Sequence, residues 1–144
     1  MSLYPIGFFD SGVGGITLWK SIKSLLPHEN TIYLSDSKNC PYGAKSQKEI
    51  DKICFNNTKF LIEKKCKIIV VACNTATTNS ISKLRDEFKI PFIGIEPAIK
   101  PAALKTKTKK IGVLATKGTL MSNLFAETSS DYKGDVTVSY THLT

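Results

Sequence analysis

"KIIVVACNTATTN" runs from Lys67 to Asn79 and changes character at Cys73, where an apolar stretch ends and small polar residues begin. The apolar half is a short continuous run of the kind that forms a strand buried on both faces. The polar half opens a segment whose apolar residues, from Ile81 to Phe88, recur at helical spacing. A buried strand that leads through a cysteine into a helix is typical of a parallel α/β sheet, and it places the thiol at the carboxyl end of the strand.

Similar units recur along the chain. Continuous apolar runs predict strands at Ile6–Phe9, Thr31–Ser35, Lys67–Ala72, Phe92–Ile95 and Ile111–Ala115. Segments of helical periodicity separate these runs, for example the stripe from Ile16 to Leu26 and the one from Ile50 to Leu61. This alternation predicts an α/β fold, a parallel sheet flanked by helices.

Composition limits the class of protein. Of the 144 residues, 42% are hydrophobic and 22% are charged, which is ordinary for a globular chain with a real core. No apolar run approaches the roughly 18–20 residues that span a bilayer. The N-terminus also lacks the basic and apolar regions of a signal peptide. We therefore expect a cytoplasmic protein with no membrane partner.

The net charge of +8 raises the alternative of a basic module that binds nucleic acid or a partner protein. The lysines are scattered, however, and Arg85 is the single arginine, although arginine is the usual base-reading side chain. Nucleic acid is therefore not the expected partner. A steep loss of binding with added salt, on duplexes of any sequence, would favour this alternative.

The four cysteines predict free thiols. Cys40, Cys54, Cys66 and Cys73 contain no C-x-x-C pair that would suggest zinc or a dithiol redox site, so no metal is expected. Cys54 lies on the apolar side of its predicted helix and Cys66 precedes a strand, and both positions indicate packing.

Polar motifs follow the predicted strands at the points where the strands end. They are "DSGVGG" (Asp10–Gly15), "SDSKNCPYG" (Ser35–Gly43), "CNTATTN" (Cys73–Asn79) and "TKGT" (Thr116–Thr119). Because open α/β sheets bind ligands at the carboxyl ends of their strands, we expect these groups to converge on one crevice. Each motif also has a structural interpretation. "DSGVGG" matches neither a dinucleotide fingerprint nor a P-loop and could be a turn and a helix cap, and "CPYG" could be a turn alone.

Cys73 differs from the packing cysteines in its local field. At the start of a helix it faces unpaired backbone N–H groups and the positive end of the helix dipole, which favour a thiolate. A nucleophilic cysteine normally needs a histidine, but His28 and His142 do not follow predicted strands. We therefore interpret Cys73 as a proton carrier rather than a covalent nucleophile.

"IGFFDSGVGG", "CPYG", "VVACNTAT", "IPFIGIEPA" and "IGVLATKGT" occur in this order over residues 5 to 125. Together they closely resemble the N-terminal part of the bacterial glutamate racemases, within the aspartate/glutamate racemase superfamily. The resemblance implies an isomerase that needs no cofactor and inverts glutamate between two cysteines on opposite faces of its α-carbon. It also implies a role in supplying D-glutamate for peptidoglycan, and so in cell wall biogenesis and cell shape, and it is compatible with a homodimer.

The resemblance assigns roles to individual residues. It makes Cys73 one of the two catalytic cysteines. The positions that it places on the substrate are Asp10, Ser11, Tyr42, Gly43, Asn74 and Thr75. Within that set the aspartate assists the thiol, and Tyr42 and Gly43 hold a glutamate carboxylate. Thr116 and Thr119 are further candidates for the lining of the crevice.

This sequence also departs from the family pattern. Members have two similar α/β domains, so the resemblance divides the chain into a first domain, 1–97, and an incomplete start of the second, 98–144. The second cysteine belongs to a G-C-T-H motif further along, and "SYTHLT" (Ser139–Thr144) has Tyr140 where that cysteine would stand. We therefore expect this chain to be inactive alone, and we hypothesise that residues 139–144 are not native. A racemase for another amino acid, such as aspartate, remains the alternative activity.

Overall fold

The computed structural model describes residues 3–132 and 135–143. The strands are β1 (Ile6–Asp10), β2 (Thr31–Ser35), β3 (Ile68–Val71), β4 (Phe92–Gly94), β5 (Lys110–Thr116) and β6 (Thr137–Leu143). The helices are α1 (Ile16–Leu25), α2 (Gln47–Glu63), α3 (Asn74–Glu87), α4 (Ile99–Lys105), α5 (Lys117–Leu120) and α6 (Asn123–Ser130), with a 3-10 helix at Tyr42–Ala44. The chain is thus an α/β protein, as the apolar runs predict.

Strands β1 to β4 form one parallel sheet in the order β2-β1-β3-β4. The five strands predicted from sequence are all present, with ends that differ by at most one residue. Strand β1 is central because it pairs with β2 on one side and with β3 on the other. Its five residues are all buried, which explains why the run carries no polar residue before Asp10.

The two faces of this sheet have separate cores. Phe8 and Val70 pack with α1 residues such as Trp19 on one face, whereas Phe9 and Val71 pack under α2 and α3 on the other. The connection after β1 therefore leaves toward one face and the connection after β3 toward the opposite face. Such a reversal opens a crevice between the two strand ends, the usual ligand position in open α/β sheets.

Strands β5 and β6 form a second, two-stranded parallel sheet. Strand β6 was not predicted, because its residues mix Val138 and Leu143 with serine, threonine and histidine and contain no continuous apolar run. Ser139 to His142, within the segment that we hypothesised to be non-native, pair in register with Gly112 to Ala115. We propose that the first domain comprises 1–97 and that the β5–β6 unit lies in the second, 98–144.

The α1 stripe is shorter than the sequence suggests. Trp19 and Ile22 pack against the sheet, but Leu25 is 79% exposed and Leu26 is 46% exposed. The apolar contacts of α1 therefore end one turn before the helix does. None of the helices in the described part of the chain has the length and apolar character that a membrane crossing requires.

Gly15 allows α1 to start directly against the sheet. A Cβ at this position would lie 2.6 Å from Ala72 Cβ and 2.9 Å from the Tyr33 hydroxyl. Gly112, by contrast, has nothing among the described residues within 4 Å of such an atom. The close approach at Gly15 brings the first peptide groups of α1 next to the end of β3.

We predict that Gly15→Ala destabilises the chain by about 1–3 kcal/mol, because the added methyl group overpacks this contact. Gly112→Ala is the matched control, and its free energy of unfolding should stay within about 0.5 kcal/mol of the parent value. Urea denaturation of both variants measures the difference. Equal stabilities for the two variants would contradict the close approach.

Candidate functional site

A crevice of about 750 Å³ lies at the carboxyl ends of β1 and β3 and is closed on its far side by β5. The sequence-predicted residues that line it are Asp10, Ser11, Cys73, Asn74, Thr75, Thr116 and Thr119. Carboxylate, hydroxyl, thiol and amide groups therefore converge at one place, as the strand ends predict. Among residues 3–132 and 135–143, no three His, Cys, Asp or Glu side chains gather closely enough to hold a metal ion.

Asp10 is the last residue of β1 and is 4% exposed. Its Oδ2 accepts hydrogen bonds from the Gly15 N–H at 2.7 Å and from the Tyr33 hydroxyl at 3.2 Å. Its Oδ1 accepts the Ser11 hydroxyl at 3.5 Å. The buried carboxylate is therefore supplied with donors on both oxygens, as a charge in this environment requires.

Cys73 caps the N-terminus of α3. Its Sγ accepts the Ala76 N–H at 3.5 Å and donates to Ser11 Oγ at 3.5 Å. Since the Ser11 hydroxyl donates in turn to Asp10, a continuous path of hydrogen bonds joins the thiol to the carboxylate. These contacts are long, and such contacts often tighten only when substrate is bound. The arrangement provides a path along which a proton can leave the thiol, and the Ala76 N–H points at the sulfur that remains.

Three threonine hydroxyls meet at the edge of the crevice where α3 contacts β5 and α5. Thr75 Oγ1 lies 2.8 Å from Thr116 Oγ1 and 3.2 Å from Thr119 Oγ1, and the latter two are 3.1 Å apart. Thr75 belongs to α3, whereas Thr116 ends β5 and caps α5. This threonine ring therefore joins the β5–β6 unit to the sheet that carries Cys73.

The "CPYG" loop packs on the same junction. A Cβ at Gly43 would lie 2.6 Å from Thr116 Cβ, and one at Gly118 would lie 3.3 Å from the Gly43 carbonyl oxygen. Two glycines therefore let the loop and the "TKGT" turn touch through their backbones. Asn79 adds a hydrogen bond from Nδ2 to the Gly118 carbonyl oxygen at 3.2 Å.

Tyr42 does not present its ring to the crevice. The side chain is 1% exposed, and its hydroxyl donates to Asp36 Oδ2 at 2.6 Å. Asp36 also accepts hydrogen bonds from Asn39 and Asn57. Burial alone would raise the pKa of Asp36, but these hydrogen bonds outweigh it and hold the pKa below its ordinary value. The buried Tyr42 ring and the Asp36 carboxylate therefore anchor the "CPYG" loop to the protein interior.

The structure thus gathers most of the sequence-predicted site. Tyr42 and Gly43 are the two members of the set that do not line the crevice itself. Two contributors were missed, Tyr33 and Asp36, which support Asp10 and Tyr42. The position of Asp36 immediately after β2 was an available signal. Tyr33 lies inside an apolar run, and nothing in its sequence setting marks it.

All four cysteines are free thiols, but their surroundings differ. Burial raises the pKa of Cys54 to about 12 and also raises the pKa of Cys66. Cys54 and Cys66 belong to the hydrophobic core, as their sequence positions indicate. Cys73 is also buried but borders the crevice, and Cys40 is exposed.

We predict that iodoacetamide modifies Cys73 and Cys40 of the folded chain but leaves Cys54 unmodified. Because its pKa is about 12, Cys54 stays a thiol even at about pH 10, where an ordinary cysteine is ionised. Mass-spectrometric mapping after brief treatment measures the order in which the cysteines are modified. The same treatment in urea is the control, in which every thiol reacts. Modification of Cys54 before Cys73 would contradict the assignment.

Comparisons with known proteins bear on this site. A family model described as Asp/Glu/Hydantoin racemase matches residues 17–143. The glutamate racemase of Herpetosiphon aurantiacus is 48% identical over 134 residues, which is 93% of this chain and 53% of the relative. A glutamate racemase of Clostridium botulinum is 52% identical over 129 residues, which is 90% of this chain and 50% of the relative. The chain spans about half the length of these curated relatives.

A solved structure has the same fold. The Escherichia coli glutamate racemase, in complex with L-glutamate and the activator UDP-MurNAc-ala, superposes with a TM-score of 0.86 at 36% identity. The match covers 96% of this chain and 53% of that one. Fold, motif order and sequence similarity agree, and the chain belongs to the Asp/Glu/hydantoin racemase family.

Proposed function

We propose that this chain provides the first catalytic half of a glutamate racemase. The observation that carries the proposal is the path from the Cys73 thiol through Ser11 to Asp10 at the wall of the crevice. The two relatives described above are named glutamate racemases, which favours glutamate over aspartate as the substrate. The reaction is inversion of the α-carbon without a cofactor.

Cys73 acts on one face of the α-carbon. Its thiolate removes the α-proton from one enantiomer, and its thiol returns a proton in the reverse direction. Asp10 accepts the thiol proton through Ser11, which keeps the base available. The N-terminus of α3 stabilises the negative charge that develops on the sulfur and on the substrate.

Polar groups around Cys73 hold the two carboxylates of glutamate. We assign this role to Asn74 and Thr75 on α3 and to Tyr42 and Gly43 in the "CPYG" loop. Because the Tyr42 ring is buried against Asp36 and neither residue lines the crevice itself, we assign these last two residues to its rim beside Thr116, where they act through their backbone N–H groups. Hydrogen bonds to a carboxylate also favour loss of the α-proton, since they stabilise the electron density that moves onto it.

The second proton carrier comes from the other domain of the complete protein. Cys40 does not fill this role, because it is exposed and does not line the crevice. The 144-residue chain alone therefore does not interconvert the enantiomers. The complete enzyme acts in the cytoplasm, supplies D-glutamate for peptidoglycan and so supports cell wall biogenesis and cell shape, and it is compatible with a homodimer.

Cys73→Ser should lower the racemisation rate of the complete protein by roughly 10²–10⁴-fold, the typical contribution of a positioned acid or base. A serine hydroxyl is far too weakly acidic to exchange the proton. The matched control is Cys40→Ser, which replaces the exposed thiol of the neighbouring loop and should keep the parent rate. Circular dichroism of L- and D-glutamate solutions follows the inversion.

Racemisation that survives Cys73→Ser would overturn the role of this thiol. Robust formation of D-glutamate by the 144-residue chain alone would overturn the assignment of the second proton carrier to the other domain. Faster inversion of aspartate than of glutamate would replace the proposed substrate by the alternative one.

A further inference from the structure

Tyr33 is the middle residue of β2, and its ring is fixed on both sides. It lies opposite Phe8 of β1 and stacks on that ring with a centroid distance of 6.4 Å. Trp19 of α1 meets it edge-on at 6.3 Å, and the indole N–H of Trp19 is itself anchored to Thr31 Oγ1 at 3.0 Å. An aromatic ring held in this way has little freedom to move its hydroxyl.

The Tyr33 hydroxyl points to the carboxyl end of the sheet, where it donates to Asp10 Oδ2 at 3.2 Å. The same oxygen accepts the Gly15 N–H at 2.7 Å. Two donors from different elements, β2 and the start of α1, therefore hold one oxygen of the carboxylate. Rotation of a carboxylate about its last torsion is otherwise broad, so this double contact sets the direction of Oδ1.

We propose that Tyr33 is a positioning residue for Cys73. By holding Asp10 Oδ2, it directs Oδ1 toward the Ser11 hydroxyl, which accepts the hydrogen bond of the Cys73 thiol. Tyr33 contacts Asp10 rather than the thiol, and it acts through that carboxylate. The inference rests on the proposed function for its meaning in catalysis, but its physical content concerns the reactivity of Cys73 alone.

Tyr33 is suited to this role because it remains a donor. Burial and the neighbouring Asp10 carboxylate raise the pKa of the phenol well above its ordinary value, so the hydroxyl keeps its proton. The titratable groups that face one another here are Asp10 after β1, Tyr33 on β2 and Cys73 at the start of α3. The start of α1 faces them with the Gly15 N–H.

The test is the rate at which iodoacetamide modifies Cys73 in the 144-residue chain, measured as a function of pH. Tyr33→Phe should slow modification about three- to tenfold near neutral pH, because only part of the free energy of a hydrogen bond to a charged group reaches the thiol through Asp10 and Ser11. Well above the ordinary thiol pKa of about 8.5, the rate should approach that of the parent chain, because the thiol then ionises without help. A purely structural role for the tyrosine would not produce this pH dependence.

Thr31→Val is the matched control. It removes the acceptor of the Trp19 indole on the same strand and the same face, but it keeps the Phe8 stacking and the direct hydrogen bond from Tyr33 to Asp10. The Cys73 rate should therefore stay closer to the parent rate than to the Tyr33→Phe rate. Cys54 and Cys66 report on folding, because they become reactive only when the chain opens. If Tyr33→Phe makes them reactive, the comparison is repeated in sucrose, which favours the folded state.

Asp10→Asn provides a second, independent test with the same measurement. This variant alone should speed Cys73 modification near neutral pH, because a neutral amide no longer repels the thiolate. Adding Tyr33→Phe to it should have no further effect, because the tyrosine then has no carboxylate to hold. An unchanged Cys73 rate in either single variant overturns the inference, and so does a slowing when Tyr33→Phe is added to Asp10→Asn. Racemisation is not measured here, so these outcomes are separate from a failure of the proposed function.

Discussion

The parallel pairing of β1 with β3 is the constraint on which the site depends. Because Phe9 lies opposite Val71, the residues that follow, Asp10 and Cys73, leave the sheet at the same edge. The connections then diverge to opposite faces, since α1 covers one face and α3 the other. The crevice is the space that this divergence leaves, and the carboxylate and the thiol stand on its two sides with Ser11 between them.

A second constraint closes the crevice. The threonine ring and the glycine contacts between the "CPYG" loop and the "TKGT" turn tie the β5–β6 unit to α3. Because Thr75 lies two residues after Cys73, this junction contacts the first turn of the helix that carries the thiol. The "CPYG" loop, which we assign to substrate carboxylate binding, and the helix that carries Cys73 therefore pack against the same "TKGT" turn.

The sequence predicts β1 and β3, which build this edge, because each is a continuous apolar run that a sheet covered on both faces can bury. It also predicts most of the crevice, since polar residues after such strands must converge there. Strand β6 could not be found in this way, because its pairing with β5 does not require an apolar run. Tyr33 could not be found either, because its role depends on the reach of a hydroxyl across two strands. The orientation of Tyr42 depends in the same way on a tertiary contact, with Asp36.

The central claim is that Cys73 faces bound glutamate, and protection of this thiol from iodoacetamide by added glutamate tests it most directly. In the complete protein, glutamate should slow the modification of Cys73 in proportion to its occupancy of the crevice, while the exposed Cys40 reacts at its usual rate. Lysine at the same concentration should protect neither thiol. Modification of Cys73 at an undiminished rate in saturating glutamate, or stronger protection by aspartate, would contradict the account.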